Sequence, residues 1–226
     1  MRLLDLFCCE GGAGQGYADA GFEVVGVDTE PRYGKLRYPF EFYLGDAIEF
    51  VREHGHEYDA IHASPPCQLY SVTNHAKSHR HPDLVGLTRD ALRATGRPYV
   101  IENVVGAPLE DPTLLCWSMF YAPGSVIDDD GTPLRMERHR LFESNVTLGT
   151  PGSCHHPKDV QVAGSYGGAR RDKREAREVR HGGYVPSIPV QQRLLGIDWM
   201  TQYGMFQSLP PVYTRWVGRR LLDVTR

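Results

Sequence analysis

Over the first hundred positions, apolar residues alternate between short strand-like runs and helical periodicities. The strand-like runs are "RLLDLF", "EVVGVD", "YDAIHAS" and "PYVIENV". The helical segments between them are "QGYADAGF", "AIEFVREHG" and "RDALRATG", each ending at or next to a glycine. Strands separated by short helices predict βαβ units. The pattern therefore predicts an α/β fold with a doubly wound, mostly parallel sheet and helices on both of its faces.

From about Phe120 the pattern becomes irregular. Segments such as "APGSVIDDDGTP" and "TLGTPGSCHHPKD" are rich in glycine, proline and charge, and only "RLFESNV" and "DVQVAG" resemble strands. Helical periodicity returns in "PVQQRLLGIDWM" and "YTRWVGRRLLDV". We therefore predict a main domain over residues 1–145, a small irregular second lobe over 146–188, and a return to the main domain over 189–226.

Composition narrows the class of protein. The 226 residues suffice for one domain with a small appendage, and 41% hydrophobic and 23% charged residues are typical of soluble globular proteins. No apolar run reaches membrane-spanning length, and "MRLLDLF" is too short and too acidic for a signal peptide, so we expect no membrane partner. The five cysteines are odd in number and two are adjacent, which is a poor disulfide framework and favours a reducing cytoplasm.

Three reactive or acidic side chains fall at or just past predicted strand ends: Asp28, Cys67 and Glu102. In open α/β sheets, ligands gather at the carboxyl ends of the strands. This coincidence is the first indication of a functional site.

The turn "CCEGGAGQG" after the first strand indicates a nucleotide-like cofactor, because glycines let a ligand approach the backbone closely. Its glycines fit no register of G-x-G-x-x-G, so an adenosyl group without phosphates is favoured over a dinucleotide. Asp28, at the end of the second strand, is placed to accept hydrogen bonds from a ribose. Asp46 suits an adenine amino group, although a helix N-cap explains it equally well.

The stretch "SPPCQ" places Cys67 behind two prolines, which fix the backbone and hold the thiol in one position. A single cysteine is more often a small buried hydrophobe, and a thiolate needs positive surroundings that are not adjacent in the sequence. Glu102 follows an apolar run, where a buried carboxyl group stays protonated as a general acid requires; a helix cap is the alternative. Arg138 and Arg140 alternate with other residues, so in a strand both would share one face and suit an anion or a carbonyl oxygen, unless they form surface ion pairs.

In this order, the four features resemble the DNA (cytosine-5) methyltransferase family, as a small, phage-type member. The matching positions are Asp5-Leu6-Phe7 with Gly11-Gly12, Asp28, Asp46, Pro66-Cys67-Gln68, Glu102-Asn103-Val104, and Arg138 with Arg140, followed by "RLLGIDWM" and "LPPVYTRWVG". The chain departs from the family pattern at three places. Cys9 replaces the first turn glycine, Met136 replaces the glutamine of the paired-arginine motif, and "FQSLPP" replaces GNAVPP.

The resemblance implies that S-adenosyl-L-methionine is the cofactor and that its methyl group goes to C5 of cytosine in double-stranded DNA. Cys67 would add to C6 of a flipped-out base, Glu102 would hold N3 and the exocyclic amine, and Arg140 would bind O2 with Arg138 nearby. The implied fold is that of S-adenosylmethionine-dependent methyltransferases, with residues 146–188 as a short target-recognition region. The implied cofactor-binding residues are Asp5, Phe7, Gly11, Gly12, Asp28, Asp46, Pro66, Gln207 and Ser208.

The resemblance also assigns contacts with DNA. Between residues 170 and 180, "RRDKREAREVR" holds six basic and three acidic residues, which leaves a local charge of +3. Alone, this run is typical of a solvated helix face, but it falls where the family reads DNA, which favours phosphate contact. The segment from Gln68 to Pro82 resembles a lid over Cys67, and we expect a monomer. The expected DNA-binding residues are Gln68, Ser71, Arg170, Arg171, Lys173 and Arg174.

Other interpretations remain open. One is an RNA cytosine-5 methyltransferase of the same fold, and another is a nucleic-acid-binding protein that keeps the scaffold without catalysis. A thiol hydrolase would pair Cys67 with a histidine, for which the candidates are His62, His75, His79 and His81. A zinc site from Cys154, His155 and His156, with His139 or Cys116, has a spacing that fits no standard ligand pair. The sequence therefore predicts no metal.

Overall fold

A computed structural model describes residues 1–30, 38–67, 69–70, 83–165 and 184–225 of the chain. Its main feature is a seven-stranded sheet in the order β3-β2-β1-β4-β5-β9-β6. The first five of these strands in that order run parallel, whereas β9 is antiparallel to both β5 and β6. The strands are β1 Arg2–Leu6, β2 Glu23–Asp28, β3 Glu41–Leu44, β4 Ala60–Ala63, β5 Tyr99–Asn103, β6 Thr113–Leu115 and β9 Arg140–Ser144.

Helices cover both faces of this sheet, as the sequence predicted. Successive residues of β1 point to opposite faces. Leu3 packs into a core with Tyr17, Tyr213 and Val217, whereas Leu4 belongs to a second core that includes residues of the second and third helices. The helices are α1 Gly12–Ala20, α2 Ala47–His54, α3 Val85–Thr95, α4 Ile188–Leu195, α5 Gln202–Gln207 and α6 Pro211–Thr225.

The C-terminal helix α6 lies against α1. The Thr214 hydroxyl donates a hydrogen bond to the carbonyl oxygen of Ala13 over 2.8 Å. Gly16 permits this close approach, because a Cβ atom there would lie 2.0 Å from the carbonyl oxygen of Pro211. Two helices from opposite ends of the sequence are thus packed together, directly after the glycine-rich turn that follows β1.

A smaller sheet of three short strands stands beside the main one, in the order β10-β8-β7. Its strands are β7 Val126–Ile127, β8 Pro133–Arg135 and β10 Gln161–Val162. Two of them come from residues 126–135, ahead of the boundary predicted at residue 146. None of the helices in the described ranges has the length and apolar character needed to cross a bilayer.

Candidate active site

The turn after β1 has an unusual backbone. Phe7 and Cys9 adopt left-handed conformations with φ of 58° and 49°, and Gly11 follows with φ of 87°. A left-handed residue other than glycine costs about 1–2 kcal/mol, so Cys9 is strained at the position where the resembling family has glycine. The Cys9 amide donates to the Asp28 carboxylate over 3.0 Å, which ties the turn to the end of β2.

A cavity of about 320 Å³ opens at the carboxyl ends of β1, β2, β4 and β5. It lies where parallel sheets of this kind bind their ligands and is large enough for a small molecule. Three predicted catalytic residues, Cys67, Glu102 and Arg140, share it with most of the predicted cofactor-binding residues. The latter are Asp5, Phe7, Gly12, Asp28, Pro66, Gln207 and Ser208.

Two predicted cofactor-binding residues lie outside the lining of this cavity. Asp46 is the N-cap of α2, and its Oδ1 accepts hydrogen bonds from the amides of Ile48 and Glu49 at 2.8 and 2.9 Å. The helix cap considered from the sequence is therefore present, and the adenine contact stays a prediction. Gly11 is the N-cap of α1, where a Cβ atom would lie 2.7 Å from Pro39 Cδ.

Asp5 is a buried carboxyl group in the cavity wall. Tyr38 donates a hydrogen bond to its Oδ2 over 3.1 Å, and its Oδ1 has no hydrogen-bond partner among the described residues. Burial raises the pKa of Asp5 to about 7, against the lowering effect of the Tyr38 hydrogen bond. The wall thus holds a buried carboxyl oxygen that is left without a hydrogen-bond partner among the described residues.

The loop that carries Cys67 is fixed from β5. The Asn103 side chain donates to the carbonyl oxygen of Pro65 over 3.0 Å, and the amide of Tyr70 donates to the carbonyl oxygen of Cys67. Burial raises the pKa of the Cys67 thiol, and the carboxyl group of Glu102 adds to this effect. The neighbouring Arg140 acts in the opposite direction without reversing the shift. The loop therefore holds Cys67 in position, and the raised pKa favours the neutral thiol over the thiolate.

Glu102 is buried at the end of β5 and meets Arg140 on one side. The Nε atom of Arg140 lies 3.0 Å from its Oε1. Burial raises the pKa of Glu102 above its ordinary value, although Arg140 and a hydrogen bond with Ser64 oppose the shift. The direction agrees with the protonated general acid that the sequence indicated.

Glu102 is also the end of a hydrogen-bonded chain of side chains that the sequence did not reveal. Ser64 contacts Nε2 of His62 at 2.8 Å, and Nδ1 of His62 contacts the Tyr17 hydroxyl at 2.9 Å. Burial lowers the pKa of His62 to about 3, so its ring is neutral. Ser64 is the first residue of the stretch "SPPCQ", and its position one residue past β4 is the feature that could have singled it out.

Arg138 differs from the prediction. It precedes β9, which begins at Arg140, so the two arginines do not share one strand face. The guanidinium of Arg138 donates to the carbonyl oxygens of Phe206 and Ser208 at 3.0 and 2.6 Å, and it does not line the cavity. Its place in the structure is that of a positioning residue, because it holds the segment that brings Gln207 and Ser208 to the cavity.

The histidine nearest in sequence to Cys67 does not support a thiol hydrolase. Both ring nitrogens of His62 are engaged by Tyr17 and Ser64. The other three candidates, His75, His79 and His81, lie outside the described residues. The expected DNA-binding residues do so as well: Gln68, Ser71, Arg170, Arg171, Lys173 and Arg174.

No family model matches the chain, and no curated protein matches it in sequence. Solved structures do match it. A protein described as a candidate DNA modification methyltransferase from an Escherichia coli prophage superposes with a TM-score of 0.55 at 14% identity, covering 99% of both chains. The Dnmt2 methyltransferase of S. pombe gives 0.58 at 11% identity, over 99% of this chain and 98% of the other. The Entamoeba histolytica methyltransferase EhMeth gives 0.56 at 12% identity, over 100% and 99%. These likenesses show that the chain has the fold of the S-adenosylmethionine-dependent methyltransferases.

Proposed function

We propose that this protein transfers a methyl group from S-adenosyl-L-methionine to C5 of cytosine in double-stranded DNA. The observation that carries the proposal is the single cavity in which the Cys67 thiol, the Glu102–Arg140 pair and a carboxylate-rich wall meet. The fold and the resemblance of the motifs support the same reaction. The target atoms are inaccessible in a stacked duplex, so the proposal includes flipping of the base into this cavity.

The cavity fits a cationic cofactor without phosphates. Five carboxyl groups line it, and among the described residues Arg140 is the one arginine or lysine that does. A pyrophosphate would find a single cation to pair with in the described lining, whereas a sulfonium and an amine would be attracted to those carboxyl groups that are ionised. When bound, S-adenosyl-L-methionine supplies an electrophilic methyl group. The residues that would hold it are Asp5, Phe7, Gly12, Asp28, Pro66, Gln207 and Ser208.

Cys67 performs the first covalent step. Its thiol gives its proton to water, the sulfur adds to C6 of cytosine, and the ring electrons move from the C5–C6 double bond towards N3. N3 takes up a proton, for which the raised pKa of Glu102 makes that carboxyl group a suited donor. The ring is then an enamine whose C5 attacks the methyl group.

Arg140 stabilises the charge that develops in the ring. Its guanidinium is already oriented by the contact with Glu102 and by a 2.8 Å hydrogen bond from Nη1 to the carbonyl oxygen of His139. A fixed cation beside O2 of the base costs no reorganisation during the reaction. C5 takes the methyl group with release of a neutral thioether, which keeps the electron pair of the broken sulfur–methyl bond. A base then removes the proton from C5, the C5–C6 double bond re-forms as the Cys67 thiolate leaves, and N3 returns its proton to Glu102.

The direct test is incubation with methyl-labelled S-adenosyl-L-methionine and either duplex DNA or RNA of the same sequence. We expect label at cytosine C5 in DNA, and a loss of at least about 10³-fold in Cys67→Ala. A duplex with 5-fluorocytosine should form a covalent adduct with the wild type and not with the variant. Calorimetric binding of the cofactor to Cys67→Ala shows that the variant is folded.

Three outcomes would contradict the proposal. Label on DNA that survives Cys67→Ala removes the covalent mechanism. Label on RNA alone selects the RNA enzyme. Absence of label from both, with the cofactor bound, leaves a nucleic-acid-binding protein on the same scaffold.

A further inference from the structure

Away from the cavity, two cysteines and two histidines from three separate segments converge on one point. Cys116 follows β6, and His139 directly precedes β9. Cys154 and His156 belong to the stretch between β9 and β10, which has no helix or strand. The sulfur and ring nitrogen atoms of the four residues all lie within 4.8 Å of one another.

Two distances within the cluster are close to those between ligands of one small ion. Cys116 Sγ lies 3.1 Å from Nε2 of His156, and Cys154 Sγ lies 3.5 Å from Nε2 of His139. Bonds of about 2.3 Å from zinc to sulfur and about 2.0 Å to nitrogen place tetrahedral ligand atoms about 3.3–3.8 Å apart. The side chains need only small adjustments to surround an ion.

We propose that Cys116, His139, Cys154 and His156 bind one zinc ion in a closed tetrahedral site. Two thiolates and two imidazoles are ligands that zinc prefers, and magnesium or calcium would require oxygen ligands instead. Four protein ligands leave no open position, which is the arrangement of structural and not catalytic zinc. The sequence predicted no metal, because the spacing of these residues fits no standard ligand pair. The four side chains come together only in the folded chain.

The surroundings of the cluster suit a structural role. Ser118 lies beside Cys116, with 3.5 Å between Oγ and Sγ, and accepts a hydrogen bond from the amide of His155 over 3.0 Å. The side chain of His155 is not part of the cluster, although it stands between two of the proposed ligands. An ion here would anchor residues 154–156 to the end of β6 and to the start of β9.

The site also lies next to the catalytic arginine. His139 would contribute its ring to the ion, while its carbonyl oxygen accepts the hydrogen bond from Arg140. Arg140 in turn contacts Glu102 at 3.0 Å. Zinc would therefore fix the backbone from which Arg140 reaches the cavity, although the proposal itself does not depend on methyl transfer.

Metal analysis tests the proposal on the full chain. The protein, expressed with zinc in the medium and passed over a desalting column, should contain one zinc per chain by mass spectrometry. Cys154→Ser and His156→Asn should each lose most of this zinc. His155→Asn is the matched control, and it should keep the full content.

Cobalt provides a measurement that does not depend on the variants' folding. Wild-type protein stripped of zinc and supplied with Co²⁺ should show the visible bands of tetrahedral cobalt and the charge-transfer absorption of thiolate ligands. Substoichiometric zinc together with absence of these bands overturns the proposal. Full zinc content in folded Cys154→Ser and His156→Asn overturns it too, as does a Cys116–Cys154 disulfide in the protein as isolated.

Discussion

Two glutamate–arginine pairs have their glutamates on the neighbouring strands β9 and β5, and they are built differently. Glu143 on β9 forms two hydrogen bonds of 2.7 Å with Arg89 of α3, one to each carboxylate oxygen. Glu102 on β5 meets Arg140 through a contact of 3.0 Å between Nε and Oε1. Since Glu143 stands opposite Ile101 and Glu102 opposite Phe142 in the ladder, the two glutamates face opposite sides of the sheet.

The first pair is closed and the second faces a cavity. Glu143 also accepts the amide of Glu110, and Arg89 also donates to the carbonyl oxygen of Pro108, so the pair meets further partners on both sides. Both Glu102 and Arg140 line the cavity, where a ligand can complete their hydrogen bonding. A closed pair, whose hydrogen bonds are all made within the protein, stabilises the fold. An open pair, which faces a cavity, keeps hydrogen-bond donors and acceptors available to a substrate.

The largest difference is expected when each glutamate becomes glutamine. Glu102→Gln should lower kcat by about 10²- to 10⁴-fold, because an amide cannot supply the proton for N3. Glu143→Gln should instead lower the free energy of unfolding by about 3 kcal/mol, since it removes the buried carboxylate partner of Arg89 and leaves the exposed Glu110, at 3.3 Å, as its remaining charged partner. Labelled methyl transfer per folded molecule and urea denaturation measure the two effects.

Each variant is the control for the other. A Glu143→Gln protein that is stable yet inactive would place the catalytic carboxyl group on the wrong pair. A Glu102→Gln protein with wild-type kcat would reduce Glu102 to a structural role.

Asp5 extends the comparison to a buried carboxyl group whose hydrogen-bond partner is a tyrosine, not an arginine. Burial raises its pKa from 3.8 to about 7, so the folded protein holds this proton more tightly than the unfolded chain does. The stabilisation is complete below about pH 4 and is lost as the pH rises to about 7. It amounts to at most about 4 kcal/mol, from a shift of about three pH units at about 1.36 kcal/mol each.

Urea denaturation of the cofactor-free protein at pH 5 and pH 8 measures about two thirds of this loss, because the part below pH 5 has already occurred. In Asp5→Asn the difference between the two pH values should shrink, because the titrating group is gone. An equal difference in wild type and variant would show that the Asp5 pKa is ordinary in the folded protein.

The two arginines should respond differently to lysine. Arg140→Lys keeps the charge but loses the planar fork, and we expect kcat to fall by about 10- to 100-fold with little change in stability. Arg89→Lys loses a two-point contact with Glu143 and should cost about 1–2 kcal/mol of unfolding free energy with unchanged kcat. Equal kcat losses in both variants would remove the distinction between the pairs.

The sequence predicted the parts of this molecule that local patterns encode. The strands β1, β2, β4 and β5 have continuous apolar runs, so they were found, and Cys67 and Glu102 were noticed from their places at strand ends. The parallel edge strand β3 was not among the predicted strands, because its four residues are mostly exposed and show no apolar run. The strands β6, β7 and β8 have two or three residues each, too few to show a period. Alternation placed Arg138 beside Arg140, but the strand starts at Arg140, and the carbonyl oxygens that bind Arg138 come from about seventy residues further along the chain.

Ser64 offers the finest test of the open pair. Its hydroxyl contacts Glu102, and together with Arg140 it lowers a carboxyl pKa that burial raises. Ser64→Ala removes one of the influences that oppose burial, so the pKa of Glu102 should rise further and the carboxyl group should stay protonated to higher pH. A general acid stops working once it ionises, so the alkaline limb of the pH–rate profile should move to higher pH. At the plateau of the profile, kcat should fall by about fivefold, because a hydrogen bond of about 1 kcal/mol is lost.

Ser144→Ala is the matched control, because that hydroxyl donates to the carbonyl oxygen of Tyr99 on β5 and does not line the cavity. A downward shift of the limb in Ser64→Ala, or the same shift in Ser144→Ala, would show that Ser64 does not act on Glu102.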